Sequence, residues 1–276
     1  MSFWKNKKVL ITGHTGFKGS WLSIALSDLG ARLYGYSLKV KNKNQIFSLL
    51  KLENLFVKSM YGDVRDLTKL KKFVKISKPE IVFHLAAQPL VRESYMKPHY
   101  TYETNIMGTI NLFEILKENK NLKCLIVITT DKVYKDSGKT IGYKENENLG
   151  GHDPYSASKA CVEIVTESYK KSFFEKNGVS VATLRAGNVI GGGDWSEDRL
   201  IPDIIKLLKS QKKLIIRNPN SIRPWQHVME AVYFYIKISQ NFYNRKEIFL
   251  KNWNLNIGPM TDDNLKVIDI VNFFKK

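Results

Sequence analysis

Cysteine is nearly absent from this 276-residue chain: the two present, Cys124 and Cys161, have neither metal-ligand spacing nor the pattern of a disulfide framework. That excludes a small stapled fold, and both thiols read as packing residues. Long apolar runs are missing as well. Nowhere do about eighteen consecutive apolar residues occur, and Met1 to Lys8 leads into the first strand without an export-type apolar stretch. We therefore expect a cytoplasmic protein without membrane insertion. No internal repeat is visible. Acidic residues are scarce, 26 against 44 Lys and Arg, for a formal net charge of +18. Such an excess marks nucleic acid, an anionic membrane surface or an anionic substrate. Here the lysines are dispersed among Asn and Ile, as in Lys69, Lys71, Lys72, Lys75 and again Lys206, Lys209, Lys212, Lys213, without interleaved aromatics. They read as solvated faces, not as a nucleic-acid surface, and a phosphate-bearing substrate can use local positive charge in any case.

What is present begins with the apolar run Val9-Leu10-Ile11-Thr12, followed at once by Gly13-His14-Thr15-Gly16-Phe17-Lys18-Gly19. A buried strand running into such a loop lets the backbone turn tightly, approach a pyrophosphate and open a helix whose first N–H groups face the anion. Leu22, Ala25, Leu26 and Leu29 then recur at helical spacing until Gly30. This G-x-x-G-x-x-G loop resembles that of the extended short-chain dehydrogenase/reductase superfamily.

Strands and helices alternate along the chain, which predicts an α/β fold with a Rossmann-type doubly wound parallel sheet. Strands are expected at 8–12, 31–36, 57–61, 81–85, 124–129, 179–185 and 214–217, with a weaker one at 254–257. Helices are expected at 19–29, 66–77, 100–118, 155–176, 200–210 and 227–240. Residues 1–186 form the dinucleotide-binding domain, with further sheet elements at about 214–250. Segments 187–213 and 251–276, rich in Gly, Trp, Pro and Arg, form a small interleaved C-terminal substrate-binding subdomain.

Ligands in such sheets lie at the carboxyl ends of the strands. There Gly62-Asp63-Val64 offers a short acid that either reaches an adenine or begins a turn, and Leu85-Ala86-Ala87 offers small side chains beside which a cofactor can approach. Tyr155 and Lys159, four apart on a helix, share one face. A phenol titrating near 10 is no base at neutrality, but an adjacent ammonium together with the positive charge of a nicotinamide lowers it, and Thr130 can bond the same substrate hydroxyl. His14 reads as shaping its loop and Asn105 as ordering the helix beneath the cofactor. No carboxylate closes strand two, which ends Tyr36-Ser37-Leu38-Lys39, so either NAD is held loosely or Lys39 tolerates a ribose phosphate.

The strings Gly13 to Leu22, Ala86-Ala87-Gln88-Pro89-Leu90-Val91-Arg92, Thr130-Asp131-Lys132, Gly191-Gly192-Gly193-Asp194-Trp195, Asp198 to Asp203 and Arg223-Pro224-Trp225-Gln226-His227-Val228 carry a closer resemblance. The chain resembles the nucleotide-sugar 4,6-dehydratases, most of all their CDP-glucose branch. The resemblance implies a hydro-lyase that uses NAD, held by Gly13, Thr15, Gly16, Phe17, Lys18, Gly19, Asp63, Val64, Leu85, Ala86, Ala87, Tyr155 and Lys159. It implies catalysis by Thr130, Asp131, Lys132, Tyr155 and Lys159, with Asp131 as the acid at C6 and Lys132 as the base at C5, unless these two form a loop ion pair. A lysine base must be neutral, which burial and nearby positive charge favour. CDP-glucose would be bound by Gln88, Arg92, Asn188, Trp195, Arg199 and His227, with Arg217 and Arg223 offering guanidinium forks to the diphosphate. No metal is implied. The resemblance further implies a homo-oligomer, dimer or tetramer, paired through long helices, and a place in deoxysugar biosynthesis for surface polysaccharide such as lipopolysaccharide. Family members continue through a longer C-terminal lobe than one ending at Lys276, so a partly open, truncated substrate pocket is expected. The competing readings are another nucleotide-sugar epimerase or decarboxylase and a truncated, inactive nucleotide-binding relative.

Overall fold

Strands whose side chains are apolar on both faces can only be satisfied inside a parallel sheet covered on both sides. The computed structural model, which describes residues 3–40, 42–138, 141–196, 198–208, 215–216, 218–246, 251–260 and 264–274, builds that sheet. In chain order the elements begin with β1 (Lys8–Thr12), α1 (Phe17–Asp28), β2 (Arg32–Ser37), α2 (Ile46–Leu49), β3 (Phe56–Tyr61), α3 (Leu67–Ser77) and β4 (Ile81–His84). They continue with α4 (Val91–Met96), α5 (Pro98–Tyr102), α6 (Gly108–Leu116), β5 (Cys124–Ile128), α7 (Pro154–Tyr169), β6 (Ser180–Ala186), β7 (Asn188–Ile190) and α8 (Leu200–Leu208). The last are β8 (Ile222–His227), α9 (Val228–Tyr243), β9 (Asn254–Ile257), β10 (Asn264–Lys266) and α10 (Val267–Phe273). Seven strands lie in the order β3-β2-β1-β4-β5-β6-β9, each neighbouring pair parallel. The chain winds outward from β1 to β3, then restarts at β4 on the other side of β1, and this reversal opens a crevice beyond the carboxyl ends of β1 and β4.

Side-chain alternation splits the core into two layers. Val9 and Ile11 of β1 pack with Leu22 and Leu26 of α1 and Val232 and Tyr235 of α9. Leu10, between them in sequence, points the other way, towards Leu70 and Phe73 of α3, Phe113 of α6 and Val162 of α7. The predicted helices at 100–118 and 155–176 exist but are interrupted by π-helical turns at Glu103–Met107 and Lys170–Phe174, a local widening that a 3.6-residue pattern does not disclose. The weaker strand, 254–257, is the seventh of the sheet. Positions 214 and 217 of the expected strand 214–217 lie outside the described residues, and 215–216 belong to no strand.

A second sheet, β10-β8-β7, was not anticipated. Pro224 in β8 argues against a central strand. It is accommodated because β7 pairs with Trp225 to His227 while β10 pairs with Ile222 to Pro224, so the two partners use different halves of β8. Gln226 donates its side-chain amide to the Ile257 carbonyl at 3.1 Å, fastening this sheet to β9. Among the described residues, no helix is long and apolar enough to cross a membrane, and no cluster of His, Cys, Asp and Glu is arranged to hold a metal.

Two histidines are built into this frame as neutral rings. His14 lies against Phe47 and Phe56 and bonds Ser59 Oγ at 2.9 Å, and burial pushes it down to about 4. His84 bonds Thr12 at 2.7 Å and Thr109 at 3.0 Å, and burial, with the charge of Lys159, pushes it down to about 3. Unfolding releases both to the ordinary value of 6.5, so the stability they confer is complete above that pH and is lost progressively as the pH falls from there towards the folded values. Between pH 6 and 5 the two rings together should lower the unfolding free energy measured in urea by roughly 2 kcal/mol. His84→Asn should halve that slope, and an unchanged slope would show that His84 is not held neutral.

Candidate active site

The site starts where β1 ends. Gly13 takes φ +75° and packs so closely on the loop after β4 that a Cβ there would lie 2.7 Å from the Ala86 nitrogen, so only glycine fits. Thr15 ties the turn to the end of β2 through Ser37 Oγ at 2.8 Å and the Leu38 carbonyl at 3.0 Å. Gly16 then caps α1 with extended backbone, no side chain bonds the first-turn N–H groups, and no acid stands in that turn. An uncapped helix N-terminus facing a crevice is an anion site in geometry and in charge.

That crevice is a cavity of about 1040 Å³. Gly13, Thr15, Gly16, Phe17, Lys18 and Gly19 line it, as do Asp63, Val64, Leu85, Ala86 and Ala87; its other end holds Thr130, Asp131, Lys132, Tyr155 and Lys159. Asn188, Trp195, Arg199 and Arg223 close the side formed by the small sheet and its loops. Sequence reasoning missed Thr104, whose hydroxyl is buried in the cavity wall without a partner. It lies in the first π-helical turn, so helical periodicity offered no signal for it. Asn105 beside it bonds the Gln88 N–H at 2.8 Å, the Gln88 carbonyl at 3.2 Å and Ser158 Oγ at 2.8 Å, joining the β4 loop to α7.

Tyr155 is seated by the start of α7. Asp153 accepts the Ser156 N–H at 3.0 Å and Pro154 fixes the first turn. Burial pushes the phenol up to about 12, against the opposing hydrogen bond of Thr130 and the charge of Arg199. The depressed phenol expected from the sequence is therefore not produced by the protein's own groups, because desolvation outweighs them. Lys159 donates to the Ile128 carbonyl at 2.9 Å, and burial pushes it down to about 8 while Glu163 pulls the other way. Thr130 Oγ1 donates to Asp131 Oδ1 at 3.0 Å. The other oxygen of Asp131 faces Gly187, where a Cβ would lie 3.2 Å from it. Lys132 is exposed and makes no ion pair with Asp131, so neither the loop pair nor the burial considered for a neutral lysine base is present. Lys18 projects from the first turn of α1 without a hydrogen-bonding partner among the described residues; burial and then Arg199 push it down to about 8, while Asp131 pulls up.

Several expected contacts take structural positions instead. Asp63 begins a turn and is held by Arg65, with Oδ2 at 2.8 Å from Nη2; burial pulls its carboxyl up, but Arg65 leaves it below the usual range. Gln88 commits both amide hydrogens, to the Leu90 carbonyl at 3.0 Å and Thr101 Oγ1 at 2.9 Å, so its side chain has no donor left for a ligand. His227 does not line the cavity; its Nδ1 caps α9 by accepting the Met229 N–H. Arg217 lies outside the described residues. Arg92 lines the mouth and pairs with Asp198 at 2.6 Å, and Arg199 lies 3.9 Å from Asp194. Together with Trp21, which donates to the Gly192 carbonyl at 3.1 Å, the Arg92–Asp198 pair ties residues 191–196 and 198–199 to the cavity wall.

The profile of the family described as GDP-mannose 4,6 dehydratase matches residues 10–273. The chain is 48% identical over 275 residues to CDP-glucose 4,6-dehydratase of Salmonella typhimurium, covering 98% of this chain and 76% of that one. To dTDP-D-glucose 4,6-dehydratase of Dictyostelium discoideum it is 35% identical over 225 residues, 76% of this chain and 50% of the relative. The solved structure of dTDP-glucose 4,6-dehydratase from Bacillus anthracis, in complex with NAD, matches with a TM-score of 0.79 at 23% identity, covering 96% of this chain and 79% of that chain. That last likeness is one of fold.

An uncapped helix end beside an unpartnered ammonium predicts the behaviour of a simple anion. Inorganic pyrophosphate should bind, and its affinity by calorimetry should fall as the pH rises through about 8, where Lys18 gives up its proton. Lys18→Met should bind roughly tenfold more weakly at pH 7 and lose most of that pH dependence. Equal affinity in the variant would remove Lys18 from the anion site.

Proposed function

The chain belongs to the GDP-mannose 4,6 dehydratase family, and from that premise we propose that it is a CDP-glucose 4,6-dehydratase that uses NAD. The observation that carries the reading is the meeting, at one end of a dinucleotide-sized cavity, of Tyr155 and Lys159 with Thr130, Asp131 and Lys132. The residues present fit NAD. The glycine turn packs against Ala86 with no room for a side chain, the N-terminus of α1 is uncapped, and the Thr104 hydroxyl is a buried polar group without a protein partner. On this reading residues 1–186, joined by β9, make up the cofactor-binding unit, and the small sheet with residues 191–196 and 198–199 covers the sugar nucleotide.

Held between the glycine turn and Tyr155 and Lys159, NAD would supply reversible hydride acceptance, so that C4 could be oxidised and C6 reduced without net redox change. Tyr155 takes the proton of the C4 hydroxyl, and Thr130 orients that hydroxyl. A phenol raised by burial needs cationic help to do this, and Lys159 on the same helical face is placed to give it. The resulting 4-ketone acidifies the C5 proton. Lys132 is the base candidate there, and it stands exposed where bound substrate would cover it. Asp131 protonates the departing C6 oxygen and water leaves, and Lys132 then hands its proton back to C5 as C6 is reduced. Arg199, Arg223 and Arg92 surround the mouth with guanidinium groups suited to the diphosphate. Two copies of the chain are taken to pair through α5–α6 and α7 with their π-helical turns, which expose Tyr102, Met107, Ile164 and Phe173.

Purified protein supplied with NAD and CDP-glucose should yield a sugar nucleotide lighter by one water, read by mass spectrometry. Tyr155→Phe should lower turnover by about 10²–10⁴-fold with no reduced nicotinamide formed. Asp131→Asn should oxidise C4 but stall before water is lost, so reduced nicotinamide accumulates on the enzyme. If Asp131→Asn and Lys132→Met both dehydrate CDP-glucose at the native rate, an epimerase becomes the better reading.

A further inference from the structure

Beneath the site lies a buried ion pair that the reaction scheme does not use. Glu163 and Arg185 each keep 1% of their side-chain surface, and Glu163 Oε2 is 3.0 Å from Arg185 Nη2. The same oxygen accepts the Thr183 hydroxyl at 2.6 Å, and Oε1 accepts the Thr129 hydroxyl. Arg185 Nη1 continues to the Tyr134 hydroxyl at 2.8 Å and the Glu145 carbonyl at 3.0 Å, and Tyr134 donates to Asn256 Oδ1 of β9 at 2.5 Å. A buried pair is a costly way to hold strands together, since well-packed apolar residues do so as well or better. Its placement suggests another use. Glu163 is one helical turn from Lys159, and the two side chains bond consecutive residues at the end of β5, Lys159 the Ile128 carbonyl and Glu163 the Thr129 hydroxyl.

We infer that Glu163 is the positioning residue that keeps Lys159 a cation at the end of β5, with Arg185 moderating the carboxylate from the far side. The inference rests on the reading that Lys159 assists Tyr155. Burial works against the ammonium, and the carboxylate of Glu163 is the group that opposes it. The other groups facing Lys159 cannot take that role. Tyr155 on its own helix is neutral until it acts, His84 on β4 is held neutral, and Lys18 on α1 is a like charge. Arg185, on β6, reaches Lys159 only through Glu163. Removing either member of the pair should weaken the fold, but the two removals act on Lys159 in opposite senses. Without Glu163 the ammonium loses its counter-charge, whereas without Arg185 it has the carboxylate to itself.

The test is an NMR titration of lysine Cε in the full-length protein labelled with 13C-lysine, with the Lys159 signal identified by its loss in Lys159→Met. In the native protein Lys159 should be protonated at pH 7. Glu163→Gln should move its midpoint down by roughly one pH unit, and Arg185→Met should move it up. The basic limb of the turnover profile should follow in both variants. Midpoints that shift the same way, or not at all, make the pair purely structural and overturn the inference. A native Lys159 already neutral at pH 7 overturns it even if neither variant folds. The titration is read without substrate, so its outcome stands apart from whether CDP-glucose is dehydrated.

Discussion

The parallel sheet sets the terms for everything else in this molecule. Because each neighbouring pair of the seven strands runs the same way, all the carboxyl ends emerge at one edge, and every loop leaving them is delivered to the same place. The glycine turn after β1, the small residues after β4, the Thr130-Asp131-Lys132 turn after β5 and Asn188 after β6 thus meet although more than 170 residues separate the first from the last. The winding reverses between β1 and β4, and only there does the edge part far enough to admit a ligand.

Burial at that edge then decides the chemistry of the groups brought to it. Desolvation disfavours whichever form is charged, so it raises Tyr155 to about 12 and lowers Lys159 and Lys18 to about 8. The phenol and the ammonium, nearly equal in acidity in water at 10.0 and 10.5, are thereby driven apart. Neighbouring groups oppose that separation only in part: the Thr130 hydrogen bond and the charge of Arg199 favour the phenolate and Glu163 favours the ammonium, while Asp131 opposes the phenolate. A ligand bearing phosphates enters a cavity where Lys18, Arg199 and Arg223 are already in place and the end of α1 is bare. The ordering of the site is thus spent before binding, on a frame that holds backbone and side chain together by close packing at Gly13 and by the Asn105 and Gln88 hydrogen bonds.

The sequence by itself determined the strands at β1, β4, β5 and β6, because continuous apolar runs bounded by turn residues have few other solutions. It also determined the glycine turn, since its residues act through their own backbone. The Tyr155–Lys159 face followed equally, since a four-residue spacing on a helix needs no knowledge of the rest of the fold. The tertiary structure alone decided the rest. Whether Gln88 and His227 face a ligand or lock a turn depends on Thr101 and Met229, and whether Lys132 is buried depends on what covers the loop. The Thr104 hydroxyl is left buried and unpartnered in the cavity wall by packing around a π-helical turn, and β8 tolerates Pro224 because its two partners use different halves. Glu163 and Arg185 are 22 positions apart in sequence and meet only because β6 lies beside β5 under α7. Local geometry can be read from local residues, but burial and partnership belong to atoms that the chain brings together from a distance.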